Sequence, residues 1–292
     1  MVQASLANGA KRGQSALSSG VVVFQSYPWG FMGERLEING HPTWVEQRGD
    51  GGDPILLLHG GMSNSDLLLD AFGTPLAQRH RLVAFDRRGH GFTADTNAPF
   101  HYADMATETI GVLEKVVGGR AHLVGWSDGG IVGLLVALRR PDLVDRLVLI
   151  GVNFHFDGVL PMELDPSSPV TAVLMQSYVE RSPDGEAHFP DVVGKFMTMM
   201  STEPTLTVDD LAKVTAPTLV MVGDDDLIAL NHTCALYESL PAGQLCVVPR
   251  ASHALPLEYP DETARQVLSF LEADQPPHTL MPVRRVEATA QS

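Results

Sequence analysis

The stretch Gly125-Trp126-Ser127-Asp128-Gly129 reads G-x-S-x-G, a pattern that presents a serine hydroxyl on a tight strand-to-helix turn. A hydroxyl is a poor nucleophile at neutral pH. It needs an adjacent general base, which must itself be oriented by a third group. Both can be sought downstream: the apolar run PTLVMV is followed by Gly223-Asp224-Asp225-Asp226, and LCVVP by Arg250-Ala251-Ser252-His253. A serine, an acid and a histidine each at the end of an apolar run suit acyl transfer. The awkward residue is the one after the serine. Its backbone N–H is placed to stabilise a developing negative charge, yet Asp128 is itself an anion.

These groups depend on the elements that carry them. Asn39-Gly40, between Glu34–Ile38 and Pro42–Gln47, is a hairpin signal. Further strands are expected at Pro54–Leu58, Leu82–Phe85, Ala121–Gly125, Arg146–Ile150, Thr218–Val222 and Leu245–Val248. The run PILLL in particular suits a sheet covered on both faces. Helical patterns fall at Asp66–Arg79, Ala103–Val117 and Asp261–Glu272, while Ile131–Leu138 is apolar all round, as a central helix would be. The alternation predicts an α/β fold, with a mostly parallel central sheet and helices on both faces. Catalytic groups in such sheets gather at the C-terminal ends of the strands, where Ser127, Asp226 and His253 fall. Residues 152–207 break the rhythm and read as a small helical cap between core segments 29–151 and 208–273. By composition, residues 1–28 and 274–292 read as flexible tails.

The 292-residue chain carries 35 acidic against 20 basic side chains, a formal net charge of −15. That speaks against nucleic acid or an anionic membrane surface as partner, since both require basic patches. No apolar run approaches the ~20 residues that span a bilayer, and Val21–Phe24 is too short for a secretory signal, so a cytoplasmic location is expected. Cys234 and Cys246 lack paired metal spacing and are expected as free thiols. His155, His188 and His232 form no metal spacing either, so no metal is expected. Monomer and homodimer both remain open.

Taken in order, LLLHGGMSNS, VAFDRRGHGFT, HLVGWSDGG, PTLVMVGDDD and ASHALPLE resemble the α/β-hydrolase superfamily across nearly all of residues 34–272. Within it, GWSDGG is similar to the biphenyl-hydrolase-like (valacyclovir hydrolase) branch, which includes amino-acid ester hydrolases. The resemblance implies a serine hydrolase acting on small-molecule carboxylic esters through an acyl-enzyme, with no metal or organic cofactor. Ser127 would attack, His253 would take and return the proton, and Asp226 would hold the imidazole. In the family the acid lies three residues after the strand-terminal glycine, which selects Asp226 over Asp224 and Asp225. Leu227 departs from the proline often found after that acid. The oxyanion would be met by the N–H of Asp128 and that of Gly61, with Met62 as the neighbouring alternative. His59 would orient this loop, and Arg87, Arg88 and His90 read as structural groups binding nearby backbone. Relatives with an aspartate nucleophile are set aside, because Asp128 stands one place too late. Carbon–carbon bond hydrolases of the meta-cleavage type share the triad and are an alternative. A non-catalytic ligand receptor on the same fold is another.

A carboxylate ~6 Å from the oxyanion would oppose it by about 3 kcal/mol at an effective dielectric of ~20. Asp128 must therefore turn away or be matched by a cation. One reading places it in the first turn of the following helix, where the dipole favours an acid by ~0.3–1 kcal/mol. The other pairs it with a substrate ammonium. The insertion holds eight acidic residues against Arg181 and Lys195, which leans toward a cationic substrate. Asp128, Trp126, Met175 and Met199 are the candidate substrate-binding residues. For the methionines, an adaptable apolar lining and ordinary helix packing are equally good readings.

Overall fold

Asn39-Gly40 turns the chain as its residue types require, both at positive φ, so that β1 (Gly33–Ile38) pairs antiparallel with β2 (His41–Arg48). The structure is a computed structural model that describes residues 33–161, 169–275, 277 and 279–281. Six further strands follow: β3 (Ile55–Leu58), β4 (Leu82–Phe85), β5 (Ala121–Trp126), β6 (Val144–Ile150), β7 (Thr218–Asp225) and β8 (Gly243–Ser252). Together they form an eight-stranded sheet in the order β1-β2-β4-β3-β5-β6-β7-β8. β2 meets β4 antiparallel, and every pairing from β4 to β8 is parallel.

The helices are α1 (Ser65–Leu68), α2 (Thr74–Ala77), α3 (Tyr102–Val112), α4 (Asp128–Arg139), α5 (Pro169–Arg181), α6 (Phe189–Met200), α7 (Val208–Leu211), α8 (Leu230–Ser239), α9 (Leu255–Glu258) and α10 (Pro260–Glu272). β3 shows how the two layers are specified. Successive strand residues point to opposite faces, so Leu56 and Leu58 join one apolar cluster with Met105 of α3, Leu134 of α4 and Leu236 of α8. Ile55 and Leu57 join the other, with Leu76 of α2 and Val267 and Phe270 of α10. Burying such a side chain contributes about 1.5–3 kcal/mol, and both faces of the central strands are used in this way.

The expected α/β-hydrolase architecture is present, with instructive differences at its edges. The pattern expected as one helix over Asp66–Arg79 is three pieces, because a wide π turn at Leu69–Gly73 separates α1 from α2. β8 is longer than its apolar centre Leu245–Val248, since an edge strand alternates half-buried with exposed residues and lacks a continuous apolar run. β7 carries Asp224 and Asp225 within the strand, through a register shift between Gly223 and Asp225.

Within residues 152–207 the structure describes α5 and α6, tied to loops of the core. Arg181 Nε meets Asp66 Oδ2 at 3.1 Å, and Asn64 Nδ2 donates to Ser177 Oγ at 2.8 Å. Asp95 accepts from Lys195 Nζ at 2.5 Å and pairs with His188 Nε2 at 2.9 Å. Residues 1–28, expected as a tail, lie outside the described residues, as does most of 274–292. Among the described residues no helix is long and apolar enough to cross a membrane.

Candidate active site

Ser127 sits where β5 turns into α4, with φ 53° and ψ −125°, a conformation that L-residues rarely adopt. The turn is enforced from both sides. Its N–H donates to Ile150 O at 2.8 Å, and its carbonyl accepts from Gly130 N at 2.8 Å and Ile131 N at 3.1 Å. The flanking glycines are required by close approach. A Cβ on Gly125 would lie 2.5 Å from Gly129 C and Gly130 N, and one on Gly129 would lie 2.5 Å from Leu58 C and 2.6 Å from His59 O. The helix therefore starts pressed against the end of β3, and the serine projects outward.

His253 follows β8 and reaches Ser127 Oγ with Nε2 at 3.0 Å, while its Nδ1 lies 2.8 Å from Asp226 Oδ1. A carboxylate can only accept, so Nδ1 carries the ring proton and Nε2 is left free to take one from the serine. The Asp226 side chain is buried, and Ile228 N donates to the same Oδ1 at 2.9 Å. Three residues that are distant in sequence thus form one hydrogen-bonded series. Gly151 at the end of β6, which the sequence did not single out, borders it: a Cβ there would lie 3.0 Å from His253 Nδ1 and 3.1 Å from Asp226 Oδ2.

The loop His59–Met62 leaves β3 beside the serine. A Cβ on Gly60 would lie 3.4 Å from Ser127 Cβ, and one on Gly61 would lie 2.7 Å from Asp128 Oδ2. The Asp128 N–H opens α4, where first-turn donors have no partner within the helix. Asp128 itself is buried, at 4% exposure. Its Oδ1 accepts from Tyr102 Oη at 2.8 Å, whereas Oδ2 has no hydrogen-bond partner among the described residues. Burial pushes its pKa up, opposed by the Arg87 charge and the Tyr102 hydrogen bond. Burial and the neighbouring Asp128 likewise push the Tyr102 phenol well above its ordinary value, so it stays a donor.

The remaining candidates fall in different places. Trp126, expected to line the pocket, packs instead in the apolar cluster beneath the sheet. Its Nε1 donates to the His253 carbonyl at 2.8 Å and so braces the histidine loop. Its ring carbons also lie against Gly60: a Cβ there would stand 3.1 Å from Trp126 Cε3. Met175 is 38% exposed on α5. Met199 is buried, and it borders a surface cavity of about 460 Å³ between α6 and residues 97–101. The α6 residue that reaches the loop is Phe196, whose ring carbons would collide with any Cβ on Gly61. The apolar spacing Val192, Phe196, Met199 was its sequence signal. Among the described residues no group of three or more His, Cys, Asp or Glu is gathered as metal ligands would be. Cys234 and Cys246 are both free and half-buried.

An eight-stranded sheet of this order, with a serine elbow after β5, defines a class. The chain belongs to the alpha/beta hydrolase family, which residues 55–266 match. Among relatives, it is 28% identical to the putative carbamate hydrolase RutD of Agrobacterium fabrum, over 79% of this chain and 98% of that one. It is 25% identical to the serine hydrolase BPHL of Mus musculus, over 88% and 94% respectively. Among solved structures, an S103A variant of the meta-cleavage product hydrolase CumD of Pseudomonas fluorescens IP01 superposes with a TM-score of 0.67. The identity there is 22%, over 82% of this chain and 97% of that one, a likeness of fold.

Proposed function

We propose that this hydrolase cleaves carboxylic esters through an acyl-enzyme on Ser127, and that it favours acyl groups bearing a cationic amine. The observation that carries the reading is the series Ser127 Oγ, His253 Nε2 and Nδ1, Asp226 Oδ1, at 3.0 and 2.8 Å. As Oγ attacks the carbonyl carbon, its proton passes to Nε2, and Asp226 offsets the positive imidazolium. The tetrahedral oxyanion takes hydrogen bonds from the N–H groups of Asp128 and Gly61, with Met62 the neighbouring alternative. Each such donor is worth roughly 10²–10³ in rate. When the carbon–oxygen bond breaks, the imidazolium protonates the departing alkoxide. Water then repeats the attack with the same proton transfers and releases the acid.

The amine preference rests on Asp128. Its buried Oδ2 lacks a partner among the described residues and lies against Gly61, beside the position the oxyanion would take. An ammonium on the acyl group would satisfy that oxygen and remove the opposition between carboxylate and oxyanion. The carbonyl of a carbamate is open to the same attack, and one relative is named as a putative carbamate hydrolase.

The test is a panel of valine and acetate esters of one alcohol, a carbamate and a meta-cleavage-type diketone, with wild type, Ser127→Ala and Asp128→Asn. Ester turnover lost in Ser127→Ala supports the nucleophile. A loss in Asp128→Asn that is at least ~10-fold larger for the valine ester supports amine recognition, since a hydrogen-bonded charge pair contributes about 1.5–3 kcal/mol. Equal losses for both esters would remove that part. No turnover on any arm, and no labelling by a fluorophosphonate, would favour a ligand receptor.

A further inference from the structure

Arg87 is the largest fully buried side chain of the protein's described residues, and a buried guanidinium is costly unless its charge is answered. Its two terminal nitrogens converge on one loop, while Nε has no hydrogen-bond partner among the described residues. Nη1 donates to the His59 carbonyl at 2.7 Å and Nη2 to the Gly60 carbonyl at 3.0 Å. The backbone N–H of Arg87 donates to His59 Nε2 at 3.2 Å, which leaves the ring proton on Nδ1, and Nδ1 donates to the Gly60 carbonyl at 2.7 Å. Burial, then the Arg87 charge, hold the His59 pKa well below its ordinary value, so this ring is the neutral tautomer.

The Gly60 carbonyl thus receives two donors from one side. A trans peptide is planar with C=O and N–H antiparallel. Pinning this carbonyl toward Arg87 therefore aims the Gly61 N–H the opposite way. Ser127 stands beside Gly60, and Asp128 beside Gly61. Hydrogen bonds in series also polarise the peptide between them, which strengthens the outward donor.

The guanidinium spends its hydrogen bonds on the loop, but its charge acts on Asp128 as well. Asp128, Glu108, Tyr102 and Asp86, in that order, are the groups whose charge favours the guanidinium. The two imidazoles nearby cannot replace it: His59 is neutral, and burial lowers the His90 pKa to about 3. His253 and Tyr102 are the other titratable groups facing Asp128. Burial pushes the carboxyls of Asp86 and Glu108 up to about 6 and about 7, so both hold their protons more tightly than an ordinary carboxyl does.

We propose that Arg87 is the positioning residue of this site: it hangs the oxyanion loop by the His59 and Gly60 carbonyls, and it supplies the positive charge that balances Asp128 next to the nucleophile. The proposal rests on the assignment of Ser127 as nucleophile and is independent of any preference for amines. It explains how an anion is tolerated one residue after the serine. The opposition of about 3 kcal/mol, or about 10²-fold in rate, that a lone carboxylate would impose at ~6 Å is the part Arg87 offsets.

The experiment is a double-mutant cycle of Arg87→Met and Asp128→Asn, read on a neutral p-nitrophenyl ester, on the rate of fluorophosphonate labelling and on melting temperature. Arg87→Met should lower kcat by about 10²-fold or more with Asp128 present, and by at least ~10-fold less in the Asp128→Asn background. Arg87→Lys, which keeps the charge but cannot span both carbonyls, should recover most of the difference between backgrounds. Equal losses in the two backgrounds, or no recovery with lysine, would reduce Arg87 to packing and overturn the proposal. If Arg87→Met does not fold alone, the double variant decides. Recovered folding on adding Asp128→Asn supports the pairing, and a double variant just as unfolded overturns it. The melting-temperature cycle reads the pairing even if no ester is turned over, so failure of the esterase reading and failure of this one are distinguishable.

Discussion

Gly129→Ala tests whether the elbow that holds Ser127 is as tight as its geometry states. A methyl at this position would lie 2.5 Å from Leu58 C and 2.6 Å from His59 O, and nearer still to Leu58 O. Ordinary carbon–oxygen contact is about 3.3 Å or more, so the start of α4 and the end of β3 must separate by about 0.7–1.2 Å. Every obstructing atom is backbone, which leaves no rotamer to relieve the clash. Overpacking of this kind costs about 1–3 kcal/mol, or roughly 3–10 °C of melting temperature in a domain of this size. The same displacement moves Ser127 relative to the oxyanion loop, and a misplacement of ~1 Å costs about 10²-fold in rate. Thermal denaturation and kcat on a p-nitrophenyl ester measure both effects. Gly194→Ala is the control: nothing lies within 4 Å of its added Cβ, and in the interior of α6 alanine should stabilise by about 0.5–1 kcal/mol. A Gly129→Ala enzyme with wild-type melting temperature and kcat would refute the reasoning about close approach.

Three other perturbations have definite expected outcomes. Asp226→Asn keeps the side-chain shape, but its amide can donate to Nδ1 and so favours the tautomer with its proton on Nε2. By analogy with serine proteases kcat should fall by about 10⁴ with KM little changed, and a loss below tenfold would contradict the assigned role. Trp126→Phe removes the donor to the His253 carbonyl and should lower kcat about 3–10-fold without unfolding the chain; a changed KM with unchanged kcat would instead mark the indole as a substrate contact. Burial and the adjacent Asp66 raise the Glu46 pKa from 4.5 to about 7, so the folded state holds this proton more tightly than the unfolded chain. The resulting stability is present below about pH 4.5 and is lost as pH rises through about 7. Glu46→Gln should therefore melt with a flatter pH dependence between pH 5.5 and 8, and parallel curves for variant and wild type would disprove the assignment.

The positions of the strands, and the placing of Ser127, Asp226 and His253 just after apolar runs, were legible because each rests on short-range signals. Apolar runs such as ILLL mark strands buried on both faces, and each reactive group follows one of them. The pocket was less legible. Whether Phe196 or a neighbouring residue of α6 faces the loop after β3 depends on how that helix packs against a segment over 130 residues earlier in the chain, and no local pattern encodes that rotation. Arg87 is a similar case. A sequence shows an arginine in a polar turn, and only the fold reveals that it is buried with its donors on the His59 and Gly60 carbonyls. The acidic residue after the serine posed a question that sequence alone could only divide into alternatives, because the groups that act on it, Tyr102 and Arg87, stand far from it in the sequence.

The contact of Phe196 with Gly61 brings a side chain from residues 152–207 against the loop where reaction charge develops. Ser127, Asp226 and His253 all belong to the sheet's own loops. The triad and this part of the cover over the Gly61 loop thus come from separate stretches of the chain. Exchanging the Phe196 ring on α6 for a smaller group would uncover the loop at Gly61 while leaving the three triad side chains on elements of their own.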